Sequence, residues 1–214
     1  MAKPPEQSPG STSAPVRTRR TQKQRRETSR AAILAAAREA FMDRGFDAVS
    51  LQEIVKGAGM TRGALYHQFS DKAAVLRAVV QEEAARMQAH LRDGLAGIAD
   101  PIERLKRGFG VYLDGLDDLR VIRLMHVEYP AHCGAARSTL DSPWLRYAED
   151  LVATAIADGL MPSVPKQAMA RLVLAFSREA LVAIAYAEDP AATRRDMQAA
   201  LDALYDGMRR DPRG

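Results

Sequence analysis

Residues 50–72, SLQEIVKGAGMTRGALYHQFSDK, contain the signals that decide the fold of the N-terminal third of this chain. Ser50, followed three residues later by Glu53, forms a capping-box pattern that predicts the start of a short helix. The glycines in GAG (57–59) predict a tight turn, and Thr61 is placed as the N-cap of the next helix. Two short helices joined by a glycine-bearing turn predict a helix-turn-helix arrangement.

A longer helix is predicted in front of these two. We expect Thr28 or Ser29 to cap it and Gly45 to end it, because the residues between them repeat at three- and four-residue spacing. The apolar residues that repeat are Ile33, Leu34, Ala37, Ala40 and Phe41. Residues 1–27 are rich in Pro, Ser, Gln, Arg and Lys, and we predict a disordered basic arm there.

The charge of the chain is distributed unevenly. Residues 1–79 contain 14 Lys/Arg and 7 Asp/Glu, whereas residues 80–214 contain 17 and 20. The basic excess in the first third favours binding to a polyanion such as DNA. The basic stretch at 17–26 is compatible with an arm that enters a minor groove, and equally with a solvated tail.

The third helix is predicted to carry a polar surface opposite a buried one. Arg62 has the geometry to bond guanine O6 and N7, and Gly63 leaves no side chain between the backbone and a partner. Leu65 and Phe69 lie four residues apart and should face the core. The other polar candidates are Tyr66, His67, Gln68 and Lys72. Each could be an ordinary solvated residue, but together in the basic third they predict a DNA-facing surface.

Residues 28–76 resemble the DNA-binding domain of the TetR family of bacterial regulators. The resemblance rests on AAREAFMDRGF, on Ser50 before the second helix, and on AGMTRG and LYHQFSDK. Gln68 stands where that family usually has histidine.

The resemblance implies a role for each position of the surface. Ser50 and Thr61 are expected to cap helices and also to touch phosphates. Base contacts are expected at Arg62 and Gly63. Contacts to the DNA backbone or to thymine methyls are expected at Tyr66 and His67, and contacts to phosphates at Gln68 and Lys72. We therefore expect an all-α fold with a three-helix DNA-binding domain (28–76) joined to a larger helical ligand-binding and dimerisation domain (77–214).

The last two predicted helices, within residues 165–189 and 190–210, carry more apolar residues than one buried face needs. We predict a four-helix interface between two copies of the chain, because paired recognition helices read an inverted repeat. An intrachain helical hairpin that completes the core is the alternative. The interface candidates are Leu172, Phe176, Leu181, Ile184, Met197, Leu201, Leu204 and Met208.

Aromatic and polar residues gather in the middle of the second domain. The family resemblance implies a cavity there for a small apolar or aromatic ligand, and ordinary helix packing is the alternative. The pocket candidates are Met125, His126, Tyr129, Trp144 and Tyr147. No metal or cofactor is predicted, because His126, Glu128, His132 and Cys133 do not have a compact zinc spacing.

The predicted function is that of a homodimeric repressor that a small ligand releases from a palindromic DNA operator. The sequence lacks GxSxG, HExxH and glycine-rich phosphate-loop motifs, so we do not expect an enzyme. An architectural DNA-binding protein and a transcriptional activator remain alternatives. The expected location is cytoplasmic without a membrane partner, because no apolar stretch approaches about 18 residues and no signal segment is recognisable.

Overall fold

The computed structural model describes residues 22–134 and 143–210, and every regular element in this part is helical. The elements are α1 (Gln22–Arg44), α2 (Leu51–Gly57), α3 (Arg62–Tyr66), α4 (Lys72–Gly94), α5 (Pro101–Asp114), α6 (Arg120–Arg123), a π-helical turn (Leu124–Glu128), α7 (Tyr129–Cys133), α8 (Pro143–Ala157), α9 (Lys166–Ala185) and α10 (Pro190–Met208). The predicted all-α fold is confirmed.

The first three helices and the start of α4 enclose one apolar core, which we call the head cluster. Its most buried members include Phe41, Ile54, Leu65 and Val75. Leu65 is 0% exposed and Phe69 is 4% exposed, so both face the core as their spacing predicted. Residues of α6 and the π turn also join this cluster, so that the second domain packs directly against the first.

Side-chain caps fix where the short helices begin. The Ser50 hydroxyl accepts from Glu53 N at 3.3 Å while Glu53 Oε2 accepts from Ser50 N at 2.8 Å, which confirms the capping box. Thr61 Oγ1 accepts from Ala64 N at 3.2 Å, and Gly59 takes a φ of +62° in the turn between α2 and α3. The side-chain caps at the starts of α2 and α3, together with the left-handed conformation of Gly59 between the two helices, set the angle of the helix-turn-helix pair.

The beginning of α1 differs from the prediction. Residues 22–27 are helical, so the expectation of disorder there is wrong, while residues 1–21 lie outside the described part of the chain. Thr28 lies within the helix, where its Oγ1 donates to Gln24 O at 2.8 Å instead of capping. The helix extends to residue 22 because adding residues to an existing helix needs no new nucleus. The residues added, mainly Gln, Lys, Arg and Glu, are also good helix formers.

A second core, the body cluster, lies between α5, α8, α9 and α10. Ile102, Phe109, Val152, Ile184 and Tyr205 are among its most buried residues. Asp100 caps α5 through Ile102 N and Glu103 N, with Pro101 at the first helical position. Helices α9 and α10 are antiparallel neighbours joined by a short connection. In the described ranges, no helix is both long and apolar enough to span a membrane.

A π-helical turn lies between α6 and α7, immediately before a proline. Tyr129 N donates to Leu124 O, five residues back, and Pro130 follows in the first turn of α7. Proline has no N–H and its ring crowds the carbonyl four residues earlier, which is that of His126. Arg178 of α9 donates to that carbonyl, with Nη2 at 3.1 Å and Nε at 3.3 Å. The helix therefore continues through Pro130, with a side chain from another helix in place of the missing donor.

Candidate nucleic-acid interface

Helix α3 presents a row of exposed side chains beside an unobstructed backbone. Thr61, Arg62, Gly63, Tyr66 and His67 are all exposed, and Tyr66 keeps 47% of its surface accessible. A Cβ added at Gly63 would meet no atom of the described residues within 4 Å. The structure thus brings these predicted residues together on one outward surface, which is accessible for close approach by a partner.

Arg62 is held above its neighbour Tyr66. Its guanidinium carbon lies 5.5 Å from the Tyr66 ring centroid, a cation–π distance. No carboxylate among residues 22–134 and 143–210 forms an ion pair with Arg62. Its donors are therefore available to a guanine edge or a phosphate.

An ion pair holds the capping residue Glu53 in place at the Ser50 end of the surface. Arg44 donates to Glu53 at 2.5 Å. That bond, together with the Ser50 backbone N–H, lowers the pKa of the Glu53 carboxyl to about 2. Glu53 is therefore ionised at neutral pH, and its carboxylate keeps the Ser50 hydroxyl in the capping box. Ser50 is exposed at the start of α2, but its side chain is already engaged by the protein.

Lys72 is placed differently from the sequence expectation. Its ammonium donates to Phe46 O at 2.7 Å and Val49 O at 2.9 Å, and it lies 4.2 Å from the Phe46 ring centroid. These contacts tie the α1–α2 loop to the start of α4. Lys72 is therefore a positioning residue in this structure, because its charge is directed at backbone carbonyls. The sequence did not reveal these contacts, because the two carbonyls lie more than 20 residues before Lys72 in the chain. Without them, the lysine was interpreted as a phosphate ligand.

A groove of about 550 Å³ runs along the end of α3, beside the first two turns of α1. It is lined by Gln22, Lys23, Arg25, Arg26, Ser29, Ala64, His67 and Gln68. None of the described residues in this lining is acidic. The basic residues of α1 were interpreted from sequence as part of an arm, and only the helical start of α1 places them here.

The junction between the two domains contains charged contacts that the sequence did not reveal. Glu83 of α4, 6% exposed, is bound by Arg38 of α1 and Arg86 of its own helix. Both arginines also reach Asp117 in the α5–α6 connection, Arg86 at 2.9 Å and Arg38 at 3.4 Å. These four side chains link α1, α4 and the α5–α6 connection through one partly buried network.

The π turn and the end of α6 also contact the C-terminal end of α1. Arg123 donates to Met42 O at 2.7 Å, and Phe46 N donates to Glu128 Oε2 at 2.5 Å. Arg123 Nε lies 3.2 Å from Glu128 Oε1, an ion pair without hydrogen-bond geometry. Gly45 has a φ of +80°, and a Cβ there would lie 3.2 Å from Glu128 Oε1. Glycine therefore ends α1 and also leaves space for this carboxylate.

Three of the five pocket candidates gather around a residue that sequence reasoning missed, Tyr112 of α5. Its hydroxyl lies 3.1 Å from His126 Nε2 and 3.7 Å from Met125 Sδ. The rings of Tyr112 and Trp144 meet edge to face at 5.9 Å. Tyr129 instead packs against the head cluster, and Tyr147 is 37% exposed on α8.

Both titratable members of this group are held uncharged. Desolvation lowers the pKa of His126 from 6.5 to about 4, and the positive charge of Arg178 acts in the same direction. Desolvation also raises the pKa of the Tyr112 hydroxyl. A neutral imidazole and a neutral phenol can donate and accept hydrogen bonds, but they offer no charge to an ionic partner.

The residues weighed as metal ligands separate onto different partners. His132 stacks on Phe46 with centroids 4.2 Å apart, Cys133 Sγ lies 3.7 Å from Ala73 O, and Glu128 binds Phe46 N. The described ranges contain no group of three His, Cys, Asp or Glu residues that could hold a metal ion.

The interface candidates divide into buried and exposed sets. Leu181, Ile184 and Leu201 are 4%, 1% and 3% exposed within the body cluster, so they are not free to form an intermolecular contact as predicted. Phe176, Met197 and Met208 are partly buried against the same core. Leu172 and Leu204 remain 50% and 43% exposed. The sequence did not separate the two sets, because both faces of these helices carry apolar residues.

Comparison with known proteins agrees with these two domains. Residues 33–79 match bacterial regulatory proteins of the tetR family, and residues 102–208 match the tetracyclin repressor-like C-terminal domain. The chain belongs to the TetR family. It is therefore a DNA-binding transcriptional regulator with a TetR-type N-terminal domain and a helical C-terminal domain.

The similarity to individual TetR-type relatives covers different shares of the chain. A TetR-family regulator of Pectobacterium atrosepticum is 30% identical, with a TM-score of 0.70, over 90% of this chain and 100% of that one. The regulator UidR of Escherichia coli K12 is 36% identical over 72 residues, which cover 34% of this chain and 37% of UidR. The activator FasR of Mycolicibacterium smegmatis is 32% identical over 92 residues, 43% and 42% of the two chains. The similarity to both curated relatives therefore covers well under half of their length.

Proposed function

We propose that this TetR-family regulator is a homodimeric repressor that binds an inverted-repeat operator through α3 and leaves it when a small uncharged ligand binds in the body. The observation that carries the DNA-binding part is the exposed row on α3, in which Arg62 pairs with no carboxylate of the described ranges and Gly63 is open to contact. Arg62 and Gly63 meet base edges in the major groove. Thr61, Tyr66, His67 and Gln68 contact phosphates or thymine methyls beside them.

Ser50 and Lys72 complete the interface in another way. Ser50 fixes the start of α2, because its hydroxyl accepts from Glu53 N and donates to Glu53 Oε2, and it acts on DNA binding through the position of that helix. Lys72 holds the α1–α2 loop through Phe46 O and Val49 O, and so sets the position of the helix-turn-helix pair. Its contribution to DNA affinity is therefore indirect.

The dimer is proposed to form through the outward faces of α9 and α10. Leu172 lies near the start of α9 and Leu204 near the end of α10, so both are at the same end of this antiparallel pair. Small exposed residues, Ala175 on α9 with Ala200 and Ala203 on α10, border them and permit close helix approach. Two such pairs form a four-helix interface that presents two α3 helices to one duplex.

The ligand is proposed to bind at Tyr112, His126 and Trp144. Because the imidazole and the phenol are neutral, the group suits an uncharged apolar or aromatic molecule that makes one or two hydrogen bonds. His126 lies in the π turn, two residues before Glu128, which binds the loop after α1. A ligand that displaces the turn therefore also disturbs the contact to Phe46 N, and with it the position of the head.

Repression is proposed from the likeness of the DNA-binding domain to a named repressor. Rv1474c of Mycobacterium tuberculosis is 39% identical over 67 residues, covering 31% of this chain and 36% of that one. A reporter placed behind the operator distinguishes the two signs of control: expression falls when a repressor is present and rises for an activator.

Selection of duplexes from a random-sequence pool tests the DNA-binding role. The wild-type chain should recover an inverted repeat, and Arg62→Ala should lose about 1–3 kcal/mol at one position of each half-site while keeping its non-specific affinity. Arg92→Ala, an exposed arginine at the far end of α4, is the matched control and should bind as wild type. Wild-type preference in Arg62→Ala would show that α3 is not the reading helix. A wild-type chain that recovers no sequence would indicate an architectural DNA-binding protein.

A further inference from the structure

The first two turns of α1 extend beyond the packed part of the head and present a polar face. Gln22, Arg25, Arg26 and Ser29 are spaced at i, i+3, i+4 and i+7, so they share one side of the helix. Four residues further on, that side buries Ile33 at 0% exposure in the head cluster. The same face is thus apolar where it is covered and basic where it overhangs.

The overhang lies beside the end of the reading helix. Its side chains form one wall of the 550 Å³ groove, and Ala64, His67 and Gln68 of the α3 region form the other. Arg25 and Arg26 form no ion pair with any carboxylate among the described residues, whereas Lys23 lies 3.9 Å from Glu27. Two unpaired guanidinium groups therefore border a groove that is continuous with the DNA-facing surface.

We infer that this overhang is a second DNA-contacting element, in which Arg25 and Arg26 bind phosphates of the strand next to the bases read by α3. The inference rests on the proposed DNA-binding function. Its occupant follows from charge, because the described part of the lining has three cationic side chains and no acidic one, which suits a polyanion. The seven helical steps from Gln22 to Ser29 span about 10 Å, which corresponds to about three base pairs of duplex.

This contact adds affinity without adding sequence preference. A helix whose inner face carries arginines at i and i+1 holds its charges at fixed positions along the backbone, unlike an extended arm in a minor groove. Phosphate contacts carry no direct sequence information. The overhang therefore raises affinity for the operator and for unrelated DNA by the same factor.

The test uses the full chain, fluorescence anisotropy and a salt series, with a duplex recovered from the random pool by the wild-type chain and a scrambled duplex. Arg25→Ala/Arg26→Ala removes up to four phosphate contacts per dimer. The slope of log affinity against log salt should become shallower by about 2–4, and affinity at 0.1 M salt should fall at least about tenfold on both duplexes. The ratio between the two duplexes should stay unchanged.

Two further variants separate this contact from a folding or bulk-charge effect. Arg25→Lys/Arg26→Lys should retain most of the slope, because the charges remain. Arg92→Ala/Arg107→Ala removes the same charge from exposed sites in the second domain and should leave the slope unchanged. A wild-type slope in Arg25→Ala/Arg26→Ala would overturn the overhang contact while leaving the reading helix intact. A wild-type chain without any preferred duplex would overturn the proposed function, and this inference with it.

Discussion

At the scale of single residues, Lys72 shows how a charge in a DNA-binding domain can act on the protein itself. It lies at the start of α4, at the position where the sequence suggests a phosphate ligand. Its ammonium instead donates to the carbonyls of Phe46 and Val49 and rests on the Phe46 ring. His132 stacks on the same ring, so Phe46 links the loop after α1 to both α4 and α7.

Lys72→Met is expected to lower the free energy of unfolding by about 1–3 kcal/mol, because it leaves partly buried carbonyls without their charged donor. Urea denaturation measures this loss. Lys56→Met, at an exposed position of α2, is the control and should change stability by less than about 0.5 kcal/mol. If Lys72→Met unfolds like wild type but binds DNA weakly with a shallower salt slope, Lys72 is a phosphate ligand after all.

At the scale of elements, the π turn between α6 and α7 lies directly before a proline. Pro130 removes the donor for His126 O, and Arg178 of α9 supplies another. The same turn places His126 towards Tyr112 and Glu128 towards the end of α1. Three neighbouring parts of the molecule, namely α9, the Tyr112 group and the head, thus meet at five residues of irregular helix. A π turn of this kind is a frequent feature of functional sites.

A double-mutant cycle tests this account of the π turn. Arg178→Ala should cost about 1 kcal/mol of stability, because His126 O loses its donor. In a Pro130→Ala background, the new N–H can bond within the helix, so the same Arg178→Ala change should cost less than half as much. Thermal or urea unfolding of the four proteins gives the coupling. Equal costs in both backgrounds would mean that Arg178 does not replace the donor that Pro130 lacks.

Sequence reasoning found the elements whose causes are local. Ser50 and Thr61 cap helices within three residues of themselves, and each was predicted from its neighbours. Lys72, Glu128 and Tyr112 could not be assigned in this way, because their partners lie many residues away along the chain. The start of α1 was missed for a different reason: residues 22–27 bury nothing, and the absence of an apolar pattern was interpreted as disorder.

At the scale of the whole molecule, helices α9 and α10 of the second domain carry apolar residues on two faces, one inside the core and one exposed. The inner faces of α9 and α10 place Leu181, Ile184 and Leu201 in the core. Leu172 and Leu204 on their outer faces are 50% and 43% exposed, and Tyr186, directly after α9, is 60% exposed. A second copy of the chain would cover these residues and bring a second α3 to the same side of the assembly.

The central claim, that two chains read one operator through paired heads, is tested most directly by sedimentation with and without the selected duplex. The wild-type chain should sediment as a dimer and bind one duplex per dimer. Leu172→Glu/Leu204→Glu should sediment as a monomer with unchanged helix content and bind at least about tenfold more weakly, because each chain then reaches one half-site alone. A wild-type chain that stays monomeric on and off DNA, or a variant that still binds as a dimer, would contradict the claim.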